Sequence, residues 1–220
     1  MNKKSFFAWL WGMSLLLGLF LSIVSVCALD EGWYHKWYAS HDLAQELKVP
    51  EVSLNEAMDM MTGYVDGSRE TMDGSLKGIG EVYNSKEKAH MQDVKALYDH
   101  ARTVMWVSWG VALALTVYFG WKKEFRLMAQ GYVSALAAYA VLFGFLGLWA
   151  VTGFDDFWTH FHKLFFSNNL WLLDPATDFM ICICPADMFM DLVVRILCWF
   201  VSALTAGGLV SYWVLKRRLR

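Results

Sequence analysis

Charge is scarce in this chain. Only 18% of its 220 residues are Asp, Glu, Lys or Arg, while 57% are hydrophobic. Soluble domains carry roughly 25% and 45–50% of these classes, so the balance favours a helical bundle in lipid. A formal net charge of −2 gives no basic surface for nucleic acid. The chain also lacks a His-Glu-x-x-His zinc motif, a Gly-x-Ser-x-Gly elbow and a phosphate-binding glycine loop, which removes support for classical metalloprotease, serine hydrolase and nucleotide-driven roles. Cysteine is limited to Cys27, Cys182, Cys184 and Cys198. The Cys182-Ile183-Cys184 spacing is not that of a metal finger, and no second pair completes a zinc site.

Long apolar runs are what the chain has instead. A helix needs about 20 apolar residues to cross the hydrocarbon core. Ser5–Leu29, Thr103–Trp121, Leu127–Val151 and Leu192–Leu215 meet that length, the last interrupted only by Arg195, which Asp191 one turn earlier could pair. The first run is longer than a signal-peptide core of 7–15 residues and reads as an uncleaved anchor. Lys3 and Lys4, then Lys122, Lys123 and Arg126, then Lys216, Arg217, Arg218 and Arg220 all fall on one side, the cytoplasm. The two remaining segments are acidic: residues 30–100 hold fourteen Asp or Glu against seven Lys or Arg, and residues 153–191 hold six against one. The fold expected is all-α: a four-helix membrane bundle with a small helical extracellular cap and both termini cytoplasmic. Its parts are transmembrane helix 1 at 1–29, cap at 30–102, spans at 103–121 and 127–151, an interfacial segment at 153–191 and a last span at 192–215.

Within the cap, Ser53 and Glu56 form a capping-box signature. Leu54, Ala57, Met58, Met61, Tyr64 and Val65 follow on one helical face. Gly67, Gly74, Gly78 and Gly80 mark a loop, Ser85 reads as an N-cap, and no sheet is expected. In the second segment Phe154, Phe157, Trp158, Phe161 and Phe165 make an aromatic stripe suited to a membrane interface, with His162 inside it. Phe179–Phe189, interrupted by Pro185, is too short to span and reads as interfacial or re-entrant. His90 and His162 both belong at the outer surface, where the fold could bring them together. An ionisable group on an apolar face is costly and therefore a functional candidate; the alternative is two interfacial histidines with ordinary polar partners. Asp93, one turn after His90, could hold its imidazole tautomer. His35, His41, His100 and His160 read as solvated or interfacial.

Two stretches carry a family resemblance. His90-Met91-Gln92-Asp93-Val94-Lys95 resembles a His-Met-x-Asp-Val-Lys motif. Phe161-His162-x-x-Phe165-Phe166, followed by Trp171-x-x-Asp174-Pro175-x-x-Asp178 and Pro185, resembles the second motif of the same family, the bacterial lipoprotein intramolecular transacylases. One departure stands after Pro185, where the family usually has an acid and this chain has Ala186 before Asp187. The resemblance implies a diacylglyceryl lipoprotein substrate in the membrane lipid and an acyltransferase that moves the sn-2 acyl chain to the α-amine of the same cysteine. It implies no cofactor and no metal. Since the amine must lose a proton and the glycerol oxygen gain one, His90 and His162 are the candidate base and acid, in either order. Asn169 and Lys95 are candidate oxyanion donors, and Asp93 and Asp174 candidate supports. The competing readings are a non-enzymatic envelope protein whose cap binds a partner, and a metal-dependent hydrolase using His90, His160 and His162.

Overall fold

The computed structural model describes residues 2–217 and divides the chain into two compact units. One comprises Met1–Ser25, Ala101–Thr152 and Val194–Arg220; the other comprises Val26–His100 and Gly153–Val193. Arg218 and Arg220, counted above among the basic residues, lie outside the described residues.

Four long helices supply the first unit: α1 (Lys3–Ala28) and α6 (Phe125–Thr152), with parts of α5 (Ser85–Trp121) and α9 (Ala186–Lys216). All four are long and apolar enough to cross a membrane, and the chain is a multi-pass membrane protein. In lipid, helices associate through close backbone approach rather than through the hydrophobic effect. Here Ala8-x-x-x-Gly12 of α1 meets Gly131-x-x-x-Ala135 of α6, and a Cβ on Gly131 would sit 2.1 Å from the Ala8 carbonyl oxygen. Beside that crossing, Leu16, Tyr132, Ala135, Tyr139, Phe200 and Leu204 form a closed core. Its phenols are satisfied on backbone, Tyr132 donating to the Leu204 carbonyl at 3.0 Å and Tyr139 to the Met13 carbonyl at 3.2 Å. Large side chains such as Leu113, Val141, Leu148 and Trp199 point outward, as a lipid-facing surface requires.

The second unit is built from α2 (Glu31–Ser40), α3 (Leu43–Glu46), α4 (Glu51–Asp66), the first turns of α5, α7 (Phe154–Phe165), α8 (Phe179–Ile183) and the first turns of α9. Its centre holds Tyr38, Leu54, Met58, Tyr83, Ile183 and Met188, all at most 1% exposed. Buried phenols again tie separate segments, Tyr38 donating to the Ile183 carbonyl at 2.8 Å and Tyr83 to the Ala57 carbonyl at 2.7 Å.

Several local expectations are corrected. Helix α4 starts at Glu51 behind Pro50, because proline fits a helix entrance without loss of a bond. Ser53 is therefore inside the helix, and its hydroxyl donates to the Lys77 carbonyl at 2.8 Å. Leu54, Ala57, Met58 and Val65 are buried as expected, joined by Met60, whereas Met61 and Tyr64 are half-buried. The loop after α4 is not free of sheet: β1 (Ser75–Leu76) pairs antiparallel with β2 (Gly80–Glu81) around the positive-φ Gly78. The cap of α5 is Asn84 rather than Ser85, its Oδ1 accepting from the Lys86 and Glu87 amides. Glu87 returns the favour by accepting from the Asn84 amide at 2.6 Å, a complete capping box. Pro185 divides the expected Phe179–Phe189 piece into α8 and the first turn of α9, so the fourth long helix begins at Ala186. Asp191 accepts from the Trp37 indole at 2.8 Å.

Candidate active site

His90 lies in the second turn of α5, within the charged residues 86–102 that precede the apolar run. His162 lies in the last turn of α7. Their ring centres are 6.0 Å apart. Both are at least nine-tenths shielded from solvent. The shield is aromatic. Phe166 packs edge-on to His90 at 5.3 Å and also touches His162, Trp158 meets His162 edge-on at 4.9 Å, and Trp171 stacks on His162 at 5.0 Å. The stripe read from the sequence is thus real, and its rings line up along α7 onto Phe189 of α9.

The two imidazoles are held differently. His162 Nδ1 lies 2.8 Å from the Trp158 carbonyl. A carbonyl only accepts, so Nδ1 carries the proton, and the neutral ring presents its lone pair at Nε2. His90 Nδ1 is buried without a hydrogen-bond partner among the described residues. Such an atom costs stability unless function uses it. Burial lowers the proton affinity of both rings, His90 to a pKa of about 4 with further help from its neighbour His162, against a smaller upward pull from Asp93. Both are neutral near pH 7.

A pH dependence of stability follows with a definite sign. Between pH 4 and 6.5 the unfolded chain holds more protons on His90 than the folded one does, so stability falls as pH falls through that window. From pH 7 to pH 5 the His90 contribution is a loss of about 2 kcal/mol. Thermal melting in detergent at the two pH values should show the drop, and the His90→Gln variant should show a smaller one.

The other residues singled out from the sequence are spread around this pair. Asp93 does not hold the His90 ring: its Oδ2 accepts from the Asn168 amide at 2.8 Å, tying α5 to the loop after α7. Lys95 donates to the Tyr64 and Val65 carbonyls at 2.8 and 3.3 Å, closing the C-terminus of α4 where a cation is favoured. Asn169 is exposed in the loop beside Trp171. Asp174 is exposed too, and its Oδ1 accepts from the Ala176 amide at 2.9 Å to shape a turn. His160 faces outward and bonds back to Asp156. No three His, Cys, Asp or Glu side chains among the described residues converge as a metal site would need.

Two buried carboxylates were not singled out as site residues. Glu87, 1% exposed, bridges the Asn84 amide and, at 2.5 Å, the Met180 amide; burial raises its pKa. Asp178, 3% exposed, accepts from the Asp174 amide, the Asn84 side chain and Lys86 at 2.8, 2.8 and 3.0 Å. Those donors hold its pKa at about 2. Lys86 also reaches the Leu172 carbonyl at 2.6 Å. Together with Asp93–Asn168, these bonds strap residues 167–178 onto the N-terminal turns of α5, with Trp171 between the fixed points. The Asn84-x-x-Glu87 spacing was the readable signal for Glu87.

The family model of the lipoprotein intramolecular transacylase Lit matches residues 9–189. The chain belongs to that family. Lit is an acyltransferase acting on lipoproteins, and this is the activity of the chain. Among solved structures, the membrane-integral Lit of Bacillus cereus superposes with a TM-score of 0.83 at 19% identity, over 99% of this chain and 98% of that one. Two forms of the same Bacillus protein with one histidine replaced, by Arg or by Ala, give TM-scores of 0.77 and 0.78 at 18% and 19% identity. They are covered over 93% and 96% of their length and cover 98% and 99% of this chain. At that identity the likeness speaks for the fold: a Lit architecture is retained although most residues differ. A comparison with curated proteins finds no match.

Proposed function

We propose that this Lit-family chain moves the sn-2 acyl chain of a diacylglyceryl-cysteine lipoprotein to the α-amine of the same cysteine, with His162 as base and His90 as the donor to the leaving oxygen. The observation that carries the reading is the apposed, aromatic-walled histidine pair, with Nε2 of His162 left as acceptor. The amine nitrogen attacks the ester carbon, closing an eight-membered ring through cysteine, thioether and glycerol. Holding the lipid folded so that this ring can form supplies much of the rate. His162 Nε2 takes the amine proton. The His162 imidazolium passes that proton to one nitrogen of His90, which gives its own from the other to the glycerol oxygen as the C–O bond breaks, so both rings end neutral and the protons balance. The amide formed is more stable than the ester lost, and the step needs no external energy.

The rings being neutral near pH 7 supports a base that is ready before substrate arrives. The α-amine, at roughly 7.7–8.0, is a stronger base than either buried imidazole, so it reacts as its minor neutral form and His162 takes the acidified N–H proton once attack has begun. We further place the termini in the cytoplasm and the histidine pair at the outer leaflet, supported by the basic flanks and acidic outer segments. The spanning portions are then residues 103–121 of α5 and 192–215 of α9. Purified protein given a synthetic diacylglyceryl-Cys lipopeptide should yield the N-acyl, S-monoacylglyceryl product of unchanged mass, told apart by fragment ions in mass spectrometry. A product with the added chain on another molecule, or hydrolysis instead, would refute the intramolecular reading.

A further inference from the structure

Beside the histidine pair is an open groove of about 540 Å³. Thr159, Lys163, Phe166, Ser167, Asn169 and Trp171 line it. Two of these, Phe166 and Trp171, are the rings that cover His162, so the groove and the reacting centre share walls. Its frame is fixed before any substrate binds. Asn168 is anchored on Asp93, and the Trp171 indole donates to the Asn168 carbonyl at 2.9 Å. Besides Phe166, Trp171 and Leu172 its walls carry two hydroxyls, two carboxamides and one ammonium, groups that the aromatic shield of the histidines lacks. Lys163 is the sole Lys or Arg between residues 127 and 194, amid six acids in 153–191. Among the described residues it has no ion-pair partner, whereas Asp156 on the same helix pairs with His160.

We infer that this groove seats the polypeptide of the lipoprotein just after its acylated cysteine, and that Lys163 selects for acidic over basic side chains there. The inference rests on the transacylase reading above. In that reaction the substrate has two unlike parts, acyl chains that need apolar walls and a peptide that leaves the cysteine toward water. A groove that carries hydroxyls, carboxamides and an ammonium and shares Trp171 with His162 meets the second need. The hydroxyls of Thr159 and Ser167 and the Asn169 carboxamide offer both donors and acceptors, as a peptide backbone requires. The exposed ammonium adds a charge preference of the size that surface ion pairs give, about three- to fivefold.

The test compares two diacylglyceryl-Cys lipopeptides, with acidic or with basic residues at the next four positions, in neutral micelles. For the unaltered protein, kcat/KM for the acidic peptide should exceed that for the basic one by about three- to fivefold. The ratio should fall to near one in Lys163→Gln and invert in Lys163→Glu, through KM more than kcat. Lys163 is exposed, so both variants should fold, which melting verifies. An equal ratio in all three proteins, with turnover intact, overturns the groove assignment and leaves the transacylase reading standing. A dependence on anionic lipid added to the micelles, and not on peptide charge, also overturns it, by making the groove a headgroup site. No turnover of either peptide by the unaltered protein removes both readings.

Discussion

Replacing His162 by Ala should abolish lyso-form product while leaving a folded protein, with kcat/KM lower by about 10²–10⁴-fold, the range for loss of one positioned acid–base group. His90→Ala should do the same. The double variant should be scarcely worse than either, because the two rings pass one proton between them and removal of either breaks the relay. The pH profile separates their roles further. Burial lowers the His162 pKa, so the base stays neutral to lower pH than an exposed histidine would. The acid limb of kcat/KM should therefore be set by the substrate α-amine, at roughly 7.7–8.0, with His162 adding a second fall only below the ordinary histidine range. His162→Gln, which preserves the shape and the bond to the Trp158 carbonyl, should be as inactive as the Ala variant. If it were substantially active, orientation rather than proton transfer would be the function of the ring. Initial rates from mass-spectrometric counts of product, at several pH values, decide this.

The loss of a base matters so much here because of how the site is walled. Nine-tenths of each imidazole is covered by protein, so little bulk water reaches the ester to take the amine's place as nucleophile. Exclusion of water favours transfer over hydrolysis, and it also strengthens the developing charges. The same burial explains the depressed proton affinity of His90, to about 4. A donor that is neutral at working pH keeps its N–H without carrying a charge that the site could not solvate.

Much of this architecture was legible in the sequence, for physical reasons that vary with the element. Spans longer than about 20 apolar residues have no other stable solution than a helix in lipid, and all four appear as helices. The α7 stripe was equally direct, since Phe154, Trp158, Phe161 and Phe165 recur at helical spacing and their rings do stack along one face. What escaped was set by contacts between distant segments. Ser53 looked like a cap, but the Lys77 carbonyl made it a buried bridge. Lys95 looked free to face a substrate, but the end of α4 claims it. Asp93 looked like the keeper of His90, yet Asn168, seventy-five positions on, takes its carboxylate. Spacing within one helix reveals which face a side chain occupies; it carries no information on which loop returns to that face.

The strap over the histidine pair is where such a return has its greatest consequence. Asp178→Ala should destabilise the protein by about 3 kcal/mol, the scale for stripping a shielded carboxylate from its charged and amide partners. Four donors on two segments lose their acceptor at once: the Asp174 amide, the Asn84 carboxamide, the Lys86 ammonium and the Thr177 hydroxyl all bond to this one side chain. From α5 and its cap, residues 167–178 then keep only Asp93–Asn168, Lys86 on the Leu172 carbonyl and a long bond of 3.3 Å from the Asn84 carboxamide to the Thr177 carbonyl. Since Trp171 lies between those anchors, the stack on His162 loosens as well. Activity should fall further than melting alone predicts, measured at a temperature where the variant stays folded. Asp178→Asn separates the two contributions. It keeps the shape and one acceptor oxygen but gives up the charge that holds Lys86, so it should recover part of the stability and most of the turnover. With a pKa near 2, Asp178 is ionised at every working pH, so its effect should be constant with pH while that of His90 is not. A melting curve for Asp178→Ala within 1 °C of the unaltered protein would show that the aromatic packing alone carries the loop.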